Sequence, residues 1–525
     1  MILKKSLAAV SAAALAFGLA ACGSGSDSGS TDGIILANGN EPQNPLLPAN
    51  TTETGGGRVV DMIYAGLVYY DTDGKTHNEM AEKIEKVDET NYKITLKPDL
   101  KFSDGSPIKA ANFVKAWNYA VENDQQGASF FEPIKGYKEG VKEMEGLKVV
   151  DDKTFTVQLS EPTSDFELRL GYSSFFPLPD SAFNDMAAQG EKPVSNGPYK
   201  LEKWEHNEAI TIVPNENYNG GRKAQNKGVK FTFYPKQDAA YADLLSGNLD
   251  VLDAVPDSAF SKFESELDGR GVNQPAAVFQ SFTIPSKLEH FSGEEGELRR
   301  QAISHAINRE EITEKIFLKT RTPATDFTSP VIDGHSDTVQ GAEVLKYDPA
   351  KAKELWAKAD AISPWTGQFA IAYNADGGHQ AWVDATANSI KNTLGIDAVG
   401  APYPDFKSLR DQVKHRTIAT AFRTGWQADY PGLNNFLSPM YATKASSNDG
   451  DYSNPEVDRL LKEAAAAPTV DEANKKYNEV QQILFKELPA IPLWYSNVTG
   501  GYGKDVENVK FNWKSVPEYY AVTKK

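Results

Sequence analysis

The chain has 525 residues, a formal net charge of −17 and a single cysteine. So acidic a chain disfavours binding to nucleic acid, and it disfavours contact with anionic lipid through a basic patch. The length is too great for one hydrophobic core and predicts two or three domains. A single cysteine cannot form a disulfide bond within the chain, so these domains must be stabilised by their hydrophobic cores.

The N-terminus has the pattern of an export signal. Lys4 and Lys5 precede an apolar run over residues 7–21, which is too short to span a bilayer stably. The run ends Leu-Ala-Ala before Cys22, which is similar to the lipobox of bacterial lipoproteins. The Gly- and Ser-rich residues that follow offer nothing against which a thiol could be buried. We therefore expect a signal peptide over 1–21, a flexible tether over 22–32 and a lipid-modified Cys22.

The first half of the exported chain is rich in predicted strands and turns. Tyr92–Leu96 and Lys153–Leu159 alternate apolar and polar residues, as half-buried strands do. Between them, Leu100–Pro107 predicts a tight turn that leads into a helix. The start of that helix is expected to be weak, because Lys109 cannot accept a hydrogen bond from the first-turn amides. Its buried face is predicted to contain Phe113, Trp117, Ala120 and Val121.

The second half is predicted to be richer in helices. Capping residues indicate helix starts at Asn308, Asp348 and Thr469, and Gly247 is expected to end an earlier helix. The spacing of apolar residues predicts a helix over His379–Leu394. Predicted strands over Gly33–Ala37, Ile210–Val213, Phe231–Tyr234, Ile418–Phe422 and Ile491–Tyr495 complete the pattern, and the strand at Ile418 is expected to stop at Gly425.

A lone carboxylate between two aromatic residues marks the candidate site. Trp426, Asp429 and Tyr430 follow the strand at Ile418, and Pro431-Gly432 is a strong turn signal. A carboxylate in this setting can meet a cation in a partly dry site, where the low local dielectric strengthens the ion pair. The alternative is that both aromatic residues belong to the core and Asp429 only shapes the turn.

The segment from Gly425 to Leu437 resembles the ligand-site segment of the periplasmic oligopeptide- and dipeptide-binding proteins. These proteins are extracytoplasmic receptors of ABC peptide importers and belong to family 5 of the bacterial extracellular solute-binding proteins. Four more motifs occur in the family's order: Phe102–Pro107, Pro193–Tyr199, Leu244–Asp250 and Tyr452–Asp458. The matches extend from about residue 36 to about residue 496.

The resemblance implies an α/β chain with a two-lobed fold of the periplasmic-binding-protein type (type II, cluster C) and an extra inserted domain. The expected division is lobe I at 33–57, 188–285 and 496–525, the inserted domain at 58–187, and lobe II at 286–495.

The resemblance also implies roles for particular side chains. Asp429 is expected to bind the α-ammonium group of a peptide, with Trp426 covering the ion pair from water. Glu41 is expected to face the ligand, and Arg423 and His379 are candidates for a peptide carboxylate. Each of these three has an alternative interpretation: a solvated loop acid for Glu41, a surface or interlobe salt bridge for Arg423, and a surface residue at a helix N-terminus for His379.

The function implied is capture of short peptides on the outer face of the bacterial cell membrane and delivery to the permease and ATPase subunits of an ABC importer. We expect a lipid-anchored monomer that binds no nucleic acid. We also expect it to hold no cofactor or metal and to catalyse no reaction, because the sequence contains no zinc-binding, phosphate-loop or nucleophile-elbow motif. Two alternatives remain: the same fold binding an oligosaccharide or other small solute, and an exported hydrolase acting on wall peptides.

Overall fold

The computed structural model describes Gly33–Lys525 apart from residues 376–377, 405 and 446. The predicted signal peptide, the tether and Cys22 lie outside these residues. No helix in the described part of the chain is both long enough and apolar enough to cross a membrane.

In chain order the strands are β1 (Ile34–Gly39), β2 (Val68–Tyr70), β3 (Thr76–Asn78), β4 (Ala81–Lys86), β5 (Asn91–Leu96), β6 (Leu147–Val149), β7 (Thr154–Gln158), β8 (Tyr199–Glu205), β9 (Ala209–Pro214), β10 (Gly228–Phe233), β11 (Val251–Leu252), β12 (Gln274–Thr283), β13 (Arg321–Pro323), β14 (Gln368–Asn374), β15 (Asp397–Tyr403), β16 (Ala421–Gln427), β17 (Ala490–Val498), β18 (Gly501–Tyr502), β19 (Val506–Glu507) and β20 (Thr523–Lys524).

The α-helices are α1 (Thr54–Ile63), α2 (Ala110–Glu122), α3 (Phe166–Arg169), α4 (Met186–Glu191), α5 (Gln237–Ser246), α6 (Phe263–Glu266), α7 (Gly293–His305), α8 (Arg309–Lys315), α9 (Pro349–Ile362), α10 (Gln380–Leu394), α11 (Phe406–Lys414), α12 (Leu433–Tyr441), α13 (Pro455–Ala465) and α14 (Val470–Glu487).

Two six-stranded sheets form the centres of two lobes. The first has the strand order β18-β11-β1-β10-β9-β8, and the second has the order β13-β17-β12-β16-β14-β15. Both sheets are mixed, since β1 pairs with β10 and β14 pairs with β15 in parallel while most other neighbours are antiparallel. The chain therefore has the two-lobed α/β architecture that the family resemblance implied.

The inserted segment builds a separate four-stranded sheet, β4-β5-β7-β6. Its apolar face does not form an independent core. Tyr92, Ile94 and Trp117 of this region belong to the same buried cluster as Ile35 and Phe231 of the first sheet. The insertion and the first lobe therefore share one continuous core, whereas the second lobe is built around a different one.

Two chain segments connect the lobes side by side. The Val272 N–H donates to the carbonyl of Gly500 at 2.9 Å, and the Val255 N–H donates to the carbonyl of Thr499. Strand β12, which the predicted division placed in lobe I, pairs with β16 and β17 in the second sheet. The other predicted boundaries stay predictions.

Most predicted elements are present. Strand β5 buries Tyr92, Ile94 and Leu96, and α2 buries the four side chains predicted for its face. The caps at Asn308, Asp348 and Thr469 accept the expected first-turn N–H groups, and Gly247 ends α5 with a φ of +84°. The Lys109 side chain makes no capping bond; instead the Lys109 N–H donates to Asn112 Oδ1 at 2.7 Å.

The predicted end of the site strand was wrong. β16 does not stop at Gly425 but continues to Gln427, because β12 pairs with every residue from Phe422 to Gln427 and holds the backbone extended. Glycine suits this position, since a Cβ at residue 425 would lie 2.9 Å from the Phe279 carbonyl oxygen.

Candidate functional site

The Asp429 carboxylate is held by a single amide. Asn435, in the first turn of α12, donates from Nδ2 to Asp429 Oδ2 at 2.9 Å and accepts the Asp429 N–H on Oδ1 at 2.9 Å. The same Oδ1 accepts the Trp426 Nε1–H at 3.0 Å. Asn435 therefore fixes both the carboxylate and the indole. Asn435 lies within the segment Gly425–Leu437 that carries the family resemblance, but no sequence pattern predicted a role for it.

Asp429 faces a cavity of about 390 Å³ between the two lobes. One wall comes from the first lobe and includes residues 51–54, Arg58 and Asp253, and the opposite wall is formed by Gln427–Asp429. Tyr172 and Lys514 also line the cavity. A group bound at Asp429 would thus contact both lobes.

Burial raises the pKa of the Asp429 carboxyl above its usual range. The hydrogen bond from Asn435 and the positive charges of Lys514 and Arg169 act in the opposite direction but do not cancel the effect of burial. An ionised carboxylate here has lost part of its hydration, and it has gained no ion pair among the residues that the structure describes. A ligand cation would supply that pair in a region of low dielectric.

A second carboxylate anchors the chain immediately after Asp429. Asp165 accepts hydrogen bonds from the Tyr430 hydroxyl at 2.6 Å, from Asn434 Nδ2 at 3.0 Å and from Arg169 Nη2 at 3.0 Å. The Arg169 guanidinium also lies 5.3 Å from the centroid of the Tyr430 ring. Tyr430 is therefore buried, as the alternative interpretation expected, but it also joins the inserted segment to the second lobe beside the site.

One edge of β16 is open next to this cavity. Strand β14 pairs with β16 only at Ala421 and Phe422. Over Arg423–Gln427, no strand in the described part of the chain pairs with that edge, while the other edge is fully bonded to β12. The structure thus presents a stretch of extended backbone that leads directly to Asp429.

Arg423 and Trp426 line a different cavity, of about 190 Å³, together with Gly425. Arg423 Nη1 donates to Asn374 Oδ1 at 2.8 Å. Arg410 lines the same cavity but is paired with Asp449 at 2.6 Å. Residues Arg423–Trp426 line this cavity and Gln427 lines the interlobe one, so Arg423 stands at one end of the open stretch and Asp429 lies beyond the other.

Glu41 and His379 are not brought together with Asp429. Glu41 is half-buried and accepts hydrogen bonds from the Asn207 N–H at 2.8 Å and from Trp204 Nε1 at 3.4 Å, and it pairs with His206 at 2.9 Å. This contact raises the pKa of His206. Asn40, the neighbour of Glu41, does line the Asp429 cavity.

His379 stands at the N-terminus of α10, where it accepts the Trp382 Nε1–H on Nδ1 at 3.1 Å. It lines neither of the two cavities along β16. Within the described residues, no group of three or more His, Cys, Asp or Glu side chains is arranged to hold a metal ion.

Comparison with known proteins finds relatives along most of the chain. Residues 75–448 match the family described as "Bacterial extracellular solute-binding proteins, family 5 Middle". The chain is 28% identical over 500 residues to the periplasmic oligopeptide-binding protein OppA of Salmonella typhimurium, covering 90% of each. It is 27% identical over 486 residues to the probable deoxycholate-binding periplasmic protein YgiS of Escherichia coli, covering 88% of each.

The solved structure of Haemophilus influenzae OppA in complex with the peptide RPPGFSPFR has the same fold. It superposes with a TM-score of 0.73 at 24% identity, over 94% of this chain and 98% of that one. This likeness concerns the fold of the two proteins.

Substitution of Tyr430 tests how much its hydrogen bond to Asp165 stabilises the folded protein. We expect Tyr430→Phe to lower the free energy of unfolding by about 1.5–3 kcal/mol, since a buried charged acceptor loses a donor. Tyr441→Phe is the matched control, because the Tyr441 hydroxyl is buried with no hydrogen-bond partner among the described residues and its loss should cost nothing. Denaturant unfolding measures both variants, and equal effects would contradict the anchoring role of Asp165.

Proposed function

Because the chain belongs to family 5 of the bacterial extracellular solute-binding proteins, we propose that it captures short peptides outside the cell membrane and delivers them to an ABC importer. The observation that carries this proposal is the position of Asp429. A partly buried carboxylate without an ion-pair partner within the described residues faces an interlobe cavity beside an open strand edge.

The ammonium end of a peptide suits Asp429. Asn435 holds the carboxylate in place, so a ligand amine meets an acceptor whose orientation is already fixed. The ion pair would form in a site where burial already makes the ionised carboxylate costly, and a pair in such a site is stronger than one in water. An uncharged sugar could not supply this compensation.

The peptide backbone suits the open edge of β16. An extended peptide can add to an exposed strand through main-chain hydrogen bonds, which carry no side-chain information. The stretch Arg423–Gln427 is about 13 Å long at the rise of an extended strand, which corresponds to roughly four peptide residues. A receptor of this kind accepts many sequences of limited length.

Arg423 is the proposed partner of the peptide carboxylate. A guanidinium binds a carboxylate through two parallel hydrogen bonds, and Arg423 is the residue of the open stretch that is farthest along the strand from Asp429. The alternative role of Arg423 is a surface or interlobe salt bridge; its Nη1 also donates to Asn374 Oδ1 within the second lobe.

Trp426 would cover the ion pair at Asp429 from water, and its Nε1–H donates to the same Asn435 that holds the carboxylate. Glu41 and His379 are less favoured as ligand contacts, because neither is brought together with Asp429.

The proposal extends to how the protein is held and what it works with. Acylation of Cys22 would anchor it to the outer face of the membrane, and the permease and ATPase subunits of the importer would be its partners. Closure of the lobes around a peptide would present a loaded form to the permease. We expect the receptor to act as a monomer without enzymatic activity.

The runner-up is a non-peptide solute. The name of the relative YgiS, probable deoxycholate-binding periplasmic protein, favours keeping this second candidate. Mass spectrometry of the ligands released from protein purified from its own cells tests the choice. Short peptides with free amino ends support the proposal, and sugars or steroid acids contradict it. Cleavage of added wall peptides would instead favour a hydrolase.

Asp429→Asn tests the ammonium site directly. A buried ion pair that loses one partner costs about 3–5 kcal/mol, so we expect affinity for the released peptide to fall by about 100-fold or more. Titration calorimetry measures the change. Asp333→Asn is the control, because this exposed acid lines a separate cavity and the substitution makes the same change in charge. Wild-type affinity in Asp429→Asn would remove Asp429 from the site.

The raised pKa of Asp429 also predicts how binding depends on pH. An ammonium group binds only the ionised carboxylate. The affinity is therefore highest at a pH above the pKa of Asp429 in the ligand-free protein, and below that pKa it falls by up to about tenfold per pH unit. Because burial raises that pKa, the loss should begin at a higher pH than for an exposed aspartate. Calorimetry between pH 4 and 8 tests this, and the profile of Asp429→Asn should lack that fall.

A further inference from the structure

Lys514 faces the same cavity as Asp429 from the C-terminal segment of the chain. Its Nζ lies 5.6 Å from the centroid of the Tyr172 ring and 5.5 Å from that of Trp513. These distances allow cation–π attraction to both rings. The ammonium group is therefore held by aromatic faces at the wall of the cavity, and within the described residues it forms no ion pair.

The backbone around Lys514 is fixed. Asn512 Oδ1 accepts the N–H groups of Lys514 and Val516 at 3.0 and 3.1 Å. The Trp513 N–H donates to the carbonyl of Thr72 at 3.0 Å, and the Trp513 carbonyl accepts the Ala277 N–H at 2.9 Å. The segment is thus bonded both to the inserted region and to β12 of the second lobe, so its position beside Asp429 is built into the fold.

The other cations near Asp429 are already paired with carboxylates. Arg58 lines the cavity but is paired with Asp253. Arg169, the other cation whose charge reaches Asp429, is paired with Asp165 at 3.0 Å. The remaining acids of the cavity wall are Glu53, which accepts hydrogen bonds from Gly56 N–H at the start of α1, and Asp61. Lys514 is thus the cation of this wall that has no carboxylate of its own.

We propose that Lys514 is the resident cation of the binding cavity: it balances the charge of Asp429 while the cavity is empty and is replaced in that role by the amino group of the ligand. The inference rests on the proposed function, because it takes Asp429 as the ammonium site. It assigns to Lys514 a positioning and specificity role. A second positive charge close to the ligand's amino group would be repelled by Lys514.

The proposal has a thermodynamic consequence that links stability to affinity. In the empty protein Lys514 stabilises an ionised Asp429. Once an ammonium group has paired with Asp429, the pair has no net charge and Lys514 gains little from it. The stabilisation that Lys514 gives the empty protein is therefore lost on binding, and removal of Lys514 should destabilise the empty protein and tighten ligand binding by the same amount.

The first test needs no ligand. Thermal unfolding of the empty, full-length mature protein is compared for Lys514→Met, Asp429→Asn and the double variant. Above the pKa of Asp429 in the folded protein, we expect Lys514→Met to lower Tm by about 1–3 °C more when Asp429 is present than in the Asp429→Asn background. As the pH falls through that pKa, Asp429 becomes neutral and this difference should vanish.

The lost contacts with Tyr172 and Trp513 affect both backgrounds equally, so the comparison isolates the charge interaction. Lys510→Met is the matched control, since Lys510 is exposed and lines a separate cavity. It should show no dependence on Asp429. Equal shifts of Lys514→Met in both backgrounds at pH 8 would overturn the proposal.

The second test uses the tripeptide Ala-Ala-Ala as the probe in titration calorimetry at pH 7.5. We expect Lys514→Met to bind it about three- to tenfold more tightly than wild type, in keeping with removal of a like charge at this separation. Unchanged or weaker binding in the variant would overturn the proposal that the amino group of the ligand replaces Lys514 as the cation that balances Asp429. If wild type binds no peptide while the stability difference persists, the proposed function fails and the assignment of Lys514 as the partner of Asp429 stands.

Discussion

Two consecutive asparagines in the first turn of α12 position both carboxylates around which the site is built. Asn435 holds Asp429 on the side of the interlobe cavity, and Asn434 contacts Asp165 on the side of the inserted segment. An amide is suited to this task because it donates and accepts at once without adding charge. The short stretch between β16 and α12 is therefore fixed from two sides, and the direction in which Asp429 points follows from that.

The same arrangement places the site where the first lobe, the inserted segment and the second lobe meet. Asp165 belongs to a segment whose apolar side chains lie in the core shared by the first lobe and the insertion, whereas Tyr430 and Asn434 belong to the second lobe. The interlobe cavity at Asp429 is lined by residues of the first lobe, the inserted segment and the second lobe. A group bound there would contact all three, which suits a protein proposed to close its lobes around a ligand.

The sequence predicted several helices and strands and the candidate residue Asp429, but not the contacts that hold Asp429 in position. Alternation and capping rules act over a few residues, and they identified β5, the buried face of α2 and the helix starts at Asn308, Asp348 and Thr469.

The features that were missed depend on contacts between distant parts of the chain. The extension of β16 to Gln427 depends on its pairing with β12, about 145 residues earlier in the chain, and local glycine and proline signals gave the wrong end. The bond from Tyr430 to Asp165 spans 265 residues, and no local pattern contains it. The sequence spacing of Asn435 from Asp429 was visible, but only the fold shows that a helix begins between them. The position of Lys514 likewise requires the C-terminal segment to return to the cavity.

The open edge of β16 also bears on whether the protein aggregates. Unpaired strand edges are usual starting points for aggregation, because they accept the edge of any other sheet. Here the unpaired stretch is only five residues long: Arg423–Trp426 line a cavity formed by the second lobe, and Gln427 lines the interlobe cavity. A stretch this short offers the edge strand of a folded neighbour only a few main-chain hydrogen bonds. A peptide of about four residues could use all of them, so under the proposed function the length of the open edge itself favours short peptides over the sheets of other proteins.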